Sequence, residues 1–420
     1  SSRCGSCPAQ TWAWVRPADA GHLQANATIQ KLDIDLLDAE GRECVQLHCL
    51  SVRVAATEVL KTVSPSVETL MFRSHWEAKS LVSNEQRSQI FTARHVFVLG
   101  LDAKQIDLEQ QLPDVAWQCI SLGSVQAGQA YTLAAKALLE SLKRVMTNAI
   151  SGQVCFQVVV PNTAAWWQGL SALLKSVQQE QPKLWTQLIA VAPDTHSKVL
   201  IERLDTNLLA QSSALVRYLD DQRQVLNWVL QSGWSPGNQV DDKGMKSCWR
   251  EGSVYLITGG AGGLGLILAR AIAEDLESVS LILTGRRRKE DLSEAQQSDL
   301  LALANQGARV GYLSVDISES AGVDTLINSI VHTYGGLDGV IHSAGVLEDA
   351  YLNDKTTASF ERVLLPKVAG TVNLDAATSH LPLDLFMVFS SITGVLGNAG
   401  QVDYACANGF MDGWSGERQE

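Results

Sequence analysis

The run from Thr258 to Gly265 carries the residue types that a phosphate-binding turn requires. It follows the apolar stretch 254–257 directly, and a helical pattern covers Leu266 to Leu276 after it. Glycines let the backbone approach phosphates closely, and a helix N-terminus offers free N–H groups and a partial positive charge. This order of strand, turn and helix predicts a pyrophosphate site; the alternative is a glycine-rich loop without a ligand. The candidate residues are Thr258, Gly259, Gly260, Ala261, Gly262, Gly263, Leu264 and Gly265.

Three arginines follow the second predicted strand, which covers Val279 to Thr284. In dinucleotide folds an acidic residue at this place binds the ribose of NAD, whereas arginine suits the 2′-phosphate of NADP. A guanidinium group binds phosphate through two parallel hydrogen bonds. We therefore expect NADPH as the cofactor, with Arg286 as the first candidate for this contact and Arg287 as the second. The alternative is a solvated basic loop, which is favoured for Arg288.

The glycine spacing T-G-x-x-x-G-x-G resembles the short-chain dehydrogenase/reductase family. A third predicted strand, Val310 to Val315, ends at Asp316 and Ile317. The resemblance implies that Asp316 reaches the adenine edge, with Ile317 beside it in the cofactor site. The fourth strand, Gly339 to His342, leads into Ser343-Ala344-Gly345. That tripeptide is similar to the Asn-Ala-Gly loop that passes under the cofactor in this family.

Four polar residues near the C-terminal end form a spaced set. Ser391 follows Lys367 by 24 residues, Tyr404 follows Ser391 by 13, and Asn408 follows Tyr404 by 4. Common members of the dehydrogenase family carry a lysine at the position of Asn408. The exchange of lysine and asparagine resembles the ketoreductase domains of modular polyketide synthases and of animal-type fatty acid synthases.

The roles that we expect for these four residues follow from where charge develops when a carbonyl group is reduced. When hydride adds to a carbonyl carbon, negative charge builds on the oxygen, and we expect the Tyr404 hydroxyl to protonate it. A nearby Lys367 ammonium favours the phenolate that remains. Ser391 is expected to hydrogen-bond the same oxygen, and Asn408 to orient Lys367 or a proton-relaying water. For each residue taken alone, the alternative is a structural role, because a serine at a strand end often caps a turn and a tyrosine on a helix often only packs.

The residues after the fourth strand bear on stereochemistry. Leu347-Glu348-Asp349 resembles the Leu-Asp-Asp motif of B-type polyketide ketoreductases, with Glu348 in place of the first aspartate. The tryptophan of A-types is Leu396 here, and the proline of many B-types is Ala399. The resemblance implies that residues 347–349 guide a phosphopantetheine arm and that the product has the D (3R) configuration. The alternative is that Glu348 and Asp349 cap the following helix.

Composition limits the classes of function. The net charge of −12 argues against general nucleic-acid binding. No apolar run approaches the length of a membrane span, and no signal peptide is recognisable. The eight cysteines show no disulfide framework, and Cys4-Gly-Ser-Cys7 lacks the second pair of a metal site. We expect a cytoplasmic, reducing setting, no metal, and buried thiols at Cys44, Cys49, Cys119, Cys155 and Cys406.

Three segments can be distinguished along the chain. Residues 1–55 alternate like a β-hairpin with a turn at 39–42, and they resemble the last strands of a polyketide dehydratase-type double hot-dog domain. That family's catalytic residues are missing, so we expect a remnant or a linker. Residues 66–247 alternate strands, including one predicted at Ser197 to Ile201, with helices, which predicts a parallel sheet. They carry no glycine turn and resemble the structural subdomain of polyketide ketoreductases.

Residues 248–420 form the predicted catalytic subdomain, which is C-terminally incomplete by comparison with that family. The expected fold class is therefore α/β, with two Rossmann-like subdomains, structural and catalytic, preceded by a short β segment. The resemblance implies an NADPH-dependent β-ketoacyl reductase. Its substrate would be a thioester on the phosphopantetheine arm of an acyl carrier protein, among neighbouring polyketide synthase domains. The alternatives are a ketoreductase of the fatty acid synthase type and a non-catalytic cofactor-binding scaffold.

Overall fold

The computed structural model divides the chain into two compact units, Ser1–Leu70 and Met71–Glu420. The residues that it describes are 2–4, 12–17, 29–37, 43–53, 72–80, 91–101, 105–147, 152–209, 213–231 and 249–419. Of the predicted cysteine sites, Cys7 and the side chains of Cys4, Cys44 and Cys49 lie outside this description. Cys155 and Cys406 are buried free thiols, and Cys119 is half-buried.

The first unit contains a four-stranded antiparallel sheet in the order β1-β4-β3-β2. Its strands are β1 (Ser2–Cys4), β2 (Trp12–Pro17), β3 (Ile29–Leu37) and β4 (Glu43–Arg53). Strands β3 and β4 pair antiparallel with a bulge between Leu32 and Ile34. The predicted antiparallel pairing of these two segments is therefore confirmed, while the turn predicted at 39–42 lies outside the described residues.

The second unit begins with a seven-stranded sheet in the order β5-β11-β10-β9-β8-β6-β7, which we call the seven-stranded half, residues 72–230. Its strands are β5 (Phe72–Ala78), β6 (Ala93–Leu99), β7 (Ala116–Ile120), β8 (Val154–Pro161), β9 (Leu184–Val191), β10 (Leu215–Leu219) and β11 (Gln222–Leu230). Its helices are α1 (Gln105–Gln111), α2 (Ala127–Thr147), α3 (Leu170–Glu180) and α4 (Ser197–Leu208), and a 3-10 turn covers Ala165–Gly169.

Two predictions for this half are wrong in detail. The segment from Ser197 to Ile201 is the first turn of α4 and not a strand. Leu200 and Leu204, four residues apart, are its buried apolar positions, and the His196 side chain caps the helix by accepting from Lys198 N. The sheet is parallel only from β6 to β10, because Asp220 and Asp221 adopt positive φ angles of 47° and 61°. That two-residue turn folds β11 back antiparallel to β10.

The five-stranded half, residues 254–419, is entirely parallel, in the order β14-β13-β12-β15-β16. Its strands are β12 (Val254–Thr258), β13 (Ser280–Gly285), β14 (Arg309–Ser314), β15 (Gly339–His342) and β16 (Leu385–Val388). Its helices are α5 (Gly263–Asp275), α6 (Glu294–Asn305), α7 (Ser320–Tyr334), α8 (Thr357–Thr378), α9 (Thr393–Leu396) and α10 (Val402–Gln419), with a 3-10 turn at Lys289–Asp291. The predicted α/β class with Rossmann-like parallel sheets is confirmed. The strand order reverses between β12 and β15, where such folds form a ligand crevice.

Helices α8 and α10 share one hydrophobic core with the seven-stranded half. Buried residues of both helices pack with those of α2, α3, β8 and the 3-10 turn; on α8 and α10 they are Phe360, Leu364, Val368, Val402, Cys406, Ala407 and Phe410. Buried Tyr131 on α2 donates a hydrogen bond to the Cys406 carbonyl over 2.8 Å, and its ring lies 4.8 Å from that of Phe410. The two halves are therefore joined by continuous apolar packing.

Gly409 tests how closely that packing is set. A Cβ added there would lie 2.7 Å from Gly169 O and 2.9 Å from Gly169 Cα, whereas one added at Gly416 of the same helix meets nothing within 4 Å. We expect Gly409→Ala to destabilise the fold by about 1–3 kcal/mol, as overpacking does. Gly416→Ala should leave stability unchanged or raise it by roughly 0.5–1 kcal/mol. Thermal unfolding of both variants measures this, and equal melting temperatures would contradict the packing described.

Candidate active site

A cleft of about 580 Å³ opens at the carboxyl ends of β12, β13 and β15. A smaller cavity of about 170 Å³ continues it toward the end of β14. Together they are lined by Gly259, Ala261, Gly262, Gly263, Leu264, Gly265, Arg286, Arg287, Asp316, Ile317, Ser343, Ala344, Gly345, Leu347, Lys367 and Tyr404. The other predicted site residues, Thr258, Gly260, Glu348, Asp349, Ser391 and Asn408, do not line either cavity.

The glycine turn is tight at Gly259 and at Gly265, where a side chain does not fit. Gly259 has a φ of +66°, and a Cβ there would lie 2.8 Å from Ala344 Cα. At Gly265 a Cβ would lie 2.7 Å from Gly259 O, whereas at Gly263 it would meet nothing within 4 Å. No side chain caps α5 at Gly262. The first N–H groups of the helix are therefore available to an anion.

Thr258 and Gly260 serve the packing under the turn. The Thr258 hydroxyl is buried and shares a hydrogen bond of 2.7 Å with His342 Nδ1. A Cβ at Gly260 would lie 2.6 Å from Leu283 Cβ. Both residues belong to the motif, yet they position β12 against β13 and β15 and do not face the cleft.

The two candidate arginines differ in what holds them. Both are exposed and line the cleft. Arg287 donates to Gln296 Oε1 over 2.9 Å. Within the described part of the chain, no side chain forms a hydrogen bond or ion pair with the Arg286 guanidinium. The Arg286 carbonyl accepts from Ser314 Oγ over 2.9 Å, which fixes its backbone. Arg286 is therefore the arginine available to a phosphate group.

The floor of the cleft is tied to the sheet. Asp316 Oδ1 accepts from both the N–H and the hydroxyl of Ser318, at 3.0 and 2.7 Å. Ser343 Oγ donates to Thr258 O over 2.7 Å. A Cβ at Gly345 would lie 3.1 Å from Lys367 Cε. This loop therefore lies directly against the lysine of α8.

Lys367 and Tyr404 meet in the cleft from different helices. Lys367 on α8 is buried, and its Nζ lies 5.3 Å from the centre of the Tyr404 ring in the first turn of α10. The ammonium donates to Phe389 O over 2.8 Å, at the end of β16. Burial lowers the pKa of Lys367 to about 8, while the charge of Asp412 acts in the opposite direction.

Asn408 and Ser391 are placed less directly. Asn408 Nδ2 donates to Tyr404 O over 2.7 Å, and its buried Oδ1 has no partner among the residues described. The expected direct orientation of Lys367 by Asn408 is not seen, because the Phe389 carbonyl holds the lysine. Ser391 Oγ accepts from Thr393 N over 3.3 Å. Its neighbour Ser390, which was not predicted as a site residue, lines the cleft.

Charged residues at the rim of the cleft do not cap a helix. The two carboxylate oxygens of Glu348 each accept a hydrogen bond of 2.7 Å from Arg362, and Asp349 accepts from Gln401 Nε2 over 2.9 Å. Helix α8 is capped instead by Thr356. The capping alternative for Glu348 and Asp349 is therefore wrong.

A buried ion pair that the sequence did not indicate fixes the start of α10. Lys355 and Asp403 are both buried, with Nζ 2.7 Å from Oδ2. The other oxygen of Asp403 accepts from Tyr404 N over 2.9 Å, and Lys355 Nζ also donates to Glu348 O. Because an unpaired buried charge costs several kcal/mol, this pair binds the rim to the turn that carries Tyr404. No local pattern marks two residues 48 positions apart.

The described residues contain neither a membrane-spanning helix nor a metal-binding cluster. No helix there is long and apolar enough to cross a membrane. No group of histidine, cysteine, aspartate and glutamate side chains in the same residues is arranged to hold a metal ion.

Sequence comparison matches residues 253–420 to the KR domain family. The polyketide synthase PksN of Bacillus subtilis (strain 168) is 36% identical over 425 residues, covering 99% of this chain and 7% of that protein. PksL of the same organism is 34% identical over 411 residues, covering 97% of this chain and 9% of that protein. The chain thus spans less than a tenth of the length of these relatives.

Solved structures agree with this match. A ketoreductase domain from the bacillaene assembly line superposes with a TM-score of 0.75 at 30% identity, covering 83% of this chain and 80% of that one. An N-terminal ketoreductase from the macrolactin assembly line, 24% identical, shares the fold with a TM-score of 0.67 over 86% of this chain and 85% of that one. The chain belongs to the polyketide synthase ketoreductase domains, a family of oxidoreductases that bind a nicotinamide cofactor.

Proposed function

We propose that this domain reduces the β-keto group of an acyl thioester to a β-hydroxy group with NADPH. The observation that carries the proposal is the approach of Lys367 Nζ to within 5.3 Å of the Tyr404 ring centre. Both residues line the cleft that the glycine turn opens into. A proton donor with its charge partner and a phosphate-binding turn at one cleft are what a carbonyl reductase needs.

The residues of the cleft fit NADPH. The turn from Gly259 to Gly265 and the first N–H groups of α5 would hold the pyrophosphate. Arg286 would bind the 2′-phosphate through a charge-assisted pair, and Asp316 with Ile317 would border the adenine. Residues 343–345 would form the floor beneath the nicotinamide. When bound, NADPH supplies the hydride that the carbonyl carbon takes up.

Side chains of the protein then supply the proton that the reduced carbonyl oxygen requires. The carbonyl oxygen gains negative charge during reduction, and Tyr404 Oη donates a proton to it. The Lys367 ammonium stabilises the phenolate that remains. Ser391 would hydrogen-bond the carbonyl oxygen, and the free Oδ1 of Asn408 would accept from a water that returns a proton to the site.

The similarity to polyketide synthases also bears on the substrate of this domain and on its partners. The relatives are whole polyketide synthases, so we infer an acyl carrier protein with a phosphopantetheine-bound substrate and neighbouring synthase domains as partners, in the cytoplasm. We infer a B-type domain in which Leu347, Glu348 and Asp349 guide the arm and the product is D (3R). The contacts of Glu348 with Arg362 and of Asp349 with Gln401, which order this rim, support that inference.

We also propose that residues 1–55 are a dehydratase-like remnant or linker, 66–247 a structural subdomain and 248–420 a catalytic one.

Replacing the proton donor tests the proposed activity. Tyr404→Phe should lower the rate of NADPH oxidation with acetoacetyl-N-acetylcysteamine by about 10²–10⁴-fold, because only the hydroxyl protonates the oxygen. The dissociation constant of NADPH, measured by calorimetry, should stay unchanged. Tyr334→Phe, at a tyrosine of α7 that lines neither cavity, is the matched control and should retain the rate. Cofactor binding without turnover in the unaltered chain would favour the scaffold alternative.

Cofactor choice depends on Arg286. We expect Arg286→Ala to weaken NADPH binding by about 1.5–3 kcal/mol, the loss of a charge-assisted contact, and to leave NADH binding nearly unchanged. Arg288→Ala, outside both cavities, is the control. Titration calorimetry with both cofactors measures the difference. Equal weakening of NADPH and NADH in Arg286→Ala would overturn the assignment.

The titration of Lys367 predicts a pH dependence. Its pKa of about 8 means that the ammonium is present below pH 8 and lost as the pH rises through that value. We expect kcat for ketone reduction to fall across the same range, because the neutral amine no longer stabilises the phenolate. Lys367→Arg keeps its charge at all these pH values and should show no inflection near pH 8. A kcat profile of the unaltered chain that stays flat through pH 8 would contradict this role.

A further inference from the structure

Two loops adjoin the site: one contributes Leu347 to the lining of the cleft, and the other leads directly into α10, which carries Tyr404. The first rim loop, residues 343–356, joins β15 to α8, and the second rim loop, residues 397–401, joins α9 to α10. Their apolar side chains are unusually open: Leu347 and Tyr351 are each 62% exposed, and Leu396 just before the second loop is 59% exposed. A substrate that approaches the cleft from this side would meet these exposed apolar side chains.

One carboxylate from the seven-stranded half holds both loops. Glu180, half-buried at the end of α3, accepts from Leu352 N over 2.7 Å through Oε2 and from Gly400 N over 2.9 Å through Oε1. The two loops also bond directly, with Ala350 N donating to Gly400 O over 2.9 Å. Each oxygen of Glu180 thus serves a different loop, and both bonds are charge-assisted.

The preceding turn of α3 holds the approach to the second loop. Lys175 Nζ donates to Val395 O over 2.7 Å, and Ser176 Oγ accepts from Asn398 N over 3.0 Å. Gln179 makes two such bonds, donating to Leu396 O at 3.0 Å and accepting from Ala399 N at 3.1 Å. The end of α3 therefore sets the position of the second loop along its whole length.

Any displacement of these loops reaches the reacting groups. Val402 starts α10 directly after the second loop, and Tyr404 lies in its first turn. The first loop carries Leu347 into the cleft and is bonded through Glu348 O to Lys355, the buried partner of Asp403. The two bonds of Glu180 therefore help to set the position of Leu347 relative to Tyr404, both of which line the cleft.

We propose that Glu180 is a positioning residue that fixes which face of the ketone is presented, and so the configuration of the β-hydroxy product. This rests on the proposed reductase function. Glu180 touches no reacting atom. It acts by holding Leu352 and Gly400 at one separation, so that a prochiral thioester has one preferred path past the rim.

The test uses the full 420-residue chain and acetoacetyl-N-acetylcysteamine. Glu180→Gln keeps the shape of the side chain but turns an NH₂ toward one of the two amides, so one bond is replaced by a donor–donor contact. We expect the ratio of the two 3-hydroxy enantiomers, measured by chiral chromatography, to fall by roughly tenfold, the size of effect that a lost charge-assisted bond gives. KM for the thioester should rise more than kcat falls, with the NADPH dissociation constant unchanged. Glu202→Gln, exposed on α4, is the matched control.

An unchanged enantiomer ratio and KM in a folded Glu180→Gln protein would overturn the role of Glu180, and so would an equal loss of NADPH affinity. If that variant does not fold, Gln179→Ala decides: it removes two bonds of an exposed side chain and should shift the ratio in the same direction. An unshifted ratio there overturns the proposal. Absence of thioester reduction by the unaltered chain is a separate result, which overturns the proposed function and the role of Glu180 with it.

Discussion

The packing of α8 and α10 into the core of the seven-stranded half is the constraint on which the site depends. These helices carry Lys367, Tyr404 and Asn408, but their apolar faces pack against α2, α3 and the aromatic cluster around Trp166 and Trp167. The sheet of the five-stranded half supplies the glycine turn and the ends of β13 and β15. The cleft is lined by residues of the five-stranded half, but the helices that carry its lysine and tyrosine are packed into the core of the seven-stranded half.

Buried charge is the second feature of the site. Lys367 is taken out of water beside Tyr404, which lowers its pKa to about 8. Lys355 and Asp403 are buried as a pair, so that neither charge is left without a partner. A buried charged group must keep the few hydrogen-bond partners that it has, because no water replaces them, and its position is therefore fixed. The first turn of α10 is therefore held from inside by an ion pair and, through the second rim loop, from outside by α3.

Local patterns were enough to predict what lies close together in the sequence. The glycine turn, the strands β12 to β15 and the antiparallel pairing of β3 with β4 each rest on neighbouring residues, and the structure contains all of them. The strand predicted at Ser197 was a short apolar run whose spacing also fits a helix, and its cap by His196 is not a usual signal. Strand β11 and its antiparallel turn depend on two aspartates with positive φ, a conformation that glycine and asparagine indicate better.

Contacts between distant residues escaped prediction for a physical reason. Glu180 meets Gly400 across 220 residues, and Lys355 meets Asp403 across 48, so neither pair leaves a period or a motif. Within the phosphate-binding motif, Thr258 and Gly260 match the pattern but face the sheet. A motif includes residues needed for packing as well as residues that contact the ligand. Lys367 and Tyr404 could be paired because the family resemblance supplied a spacing that local physics does not.

Native-state hydrogen exchange on the cofactor-free chain tests the shared core most directly. Amides of α10 near Cys406 and Phe410 should open with the same free energy as those of β8, because both belong to one packed core. The opposite result would be opening of α10 together with β12 and β13 at a lower free energy, while β8 stays protected. That would show that the helix of Tyr404 is stabilised by its own half alone, and would contradict the dependence of the site on the seven-stranded half.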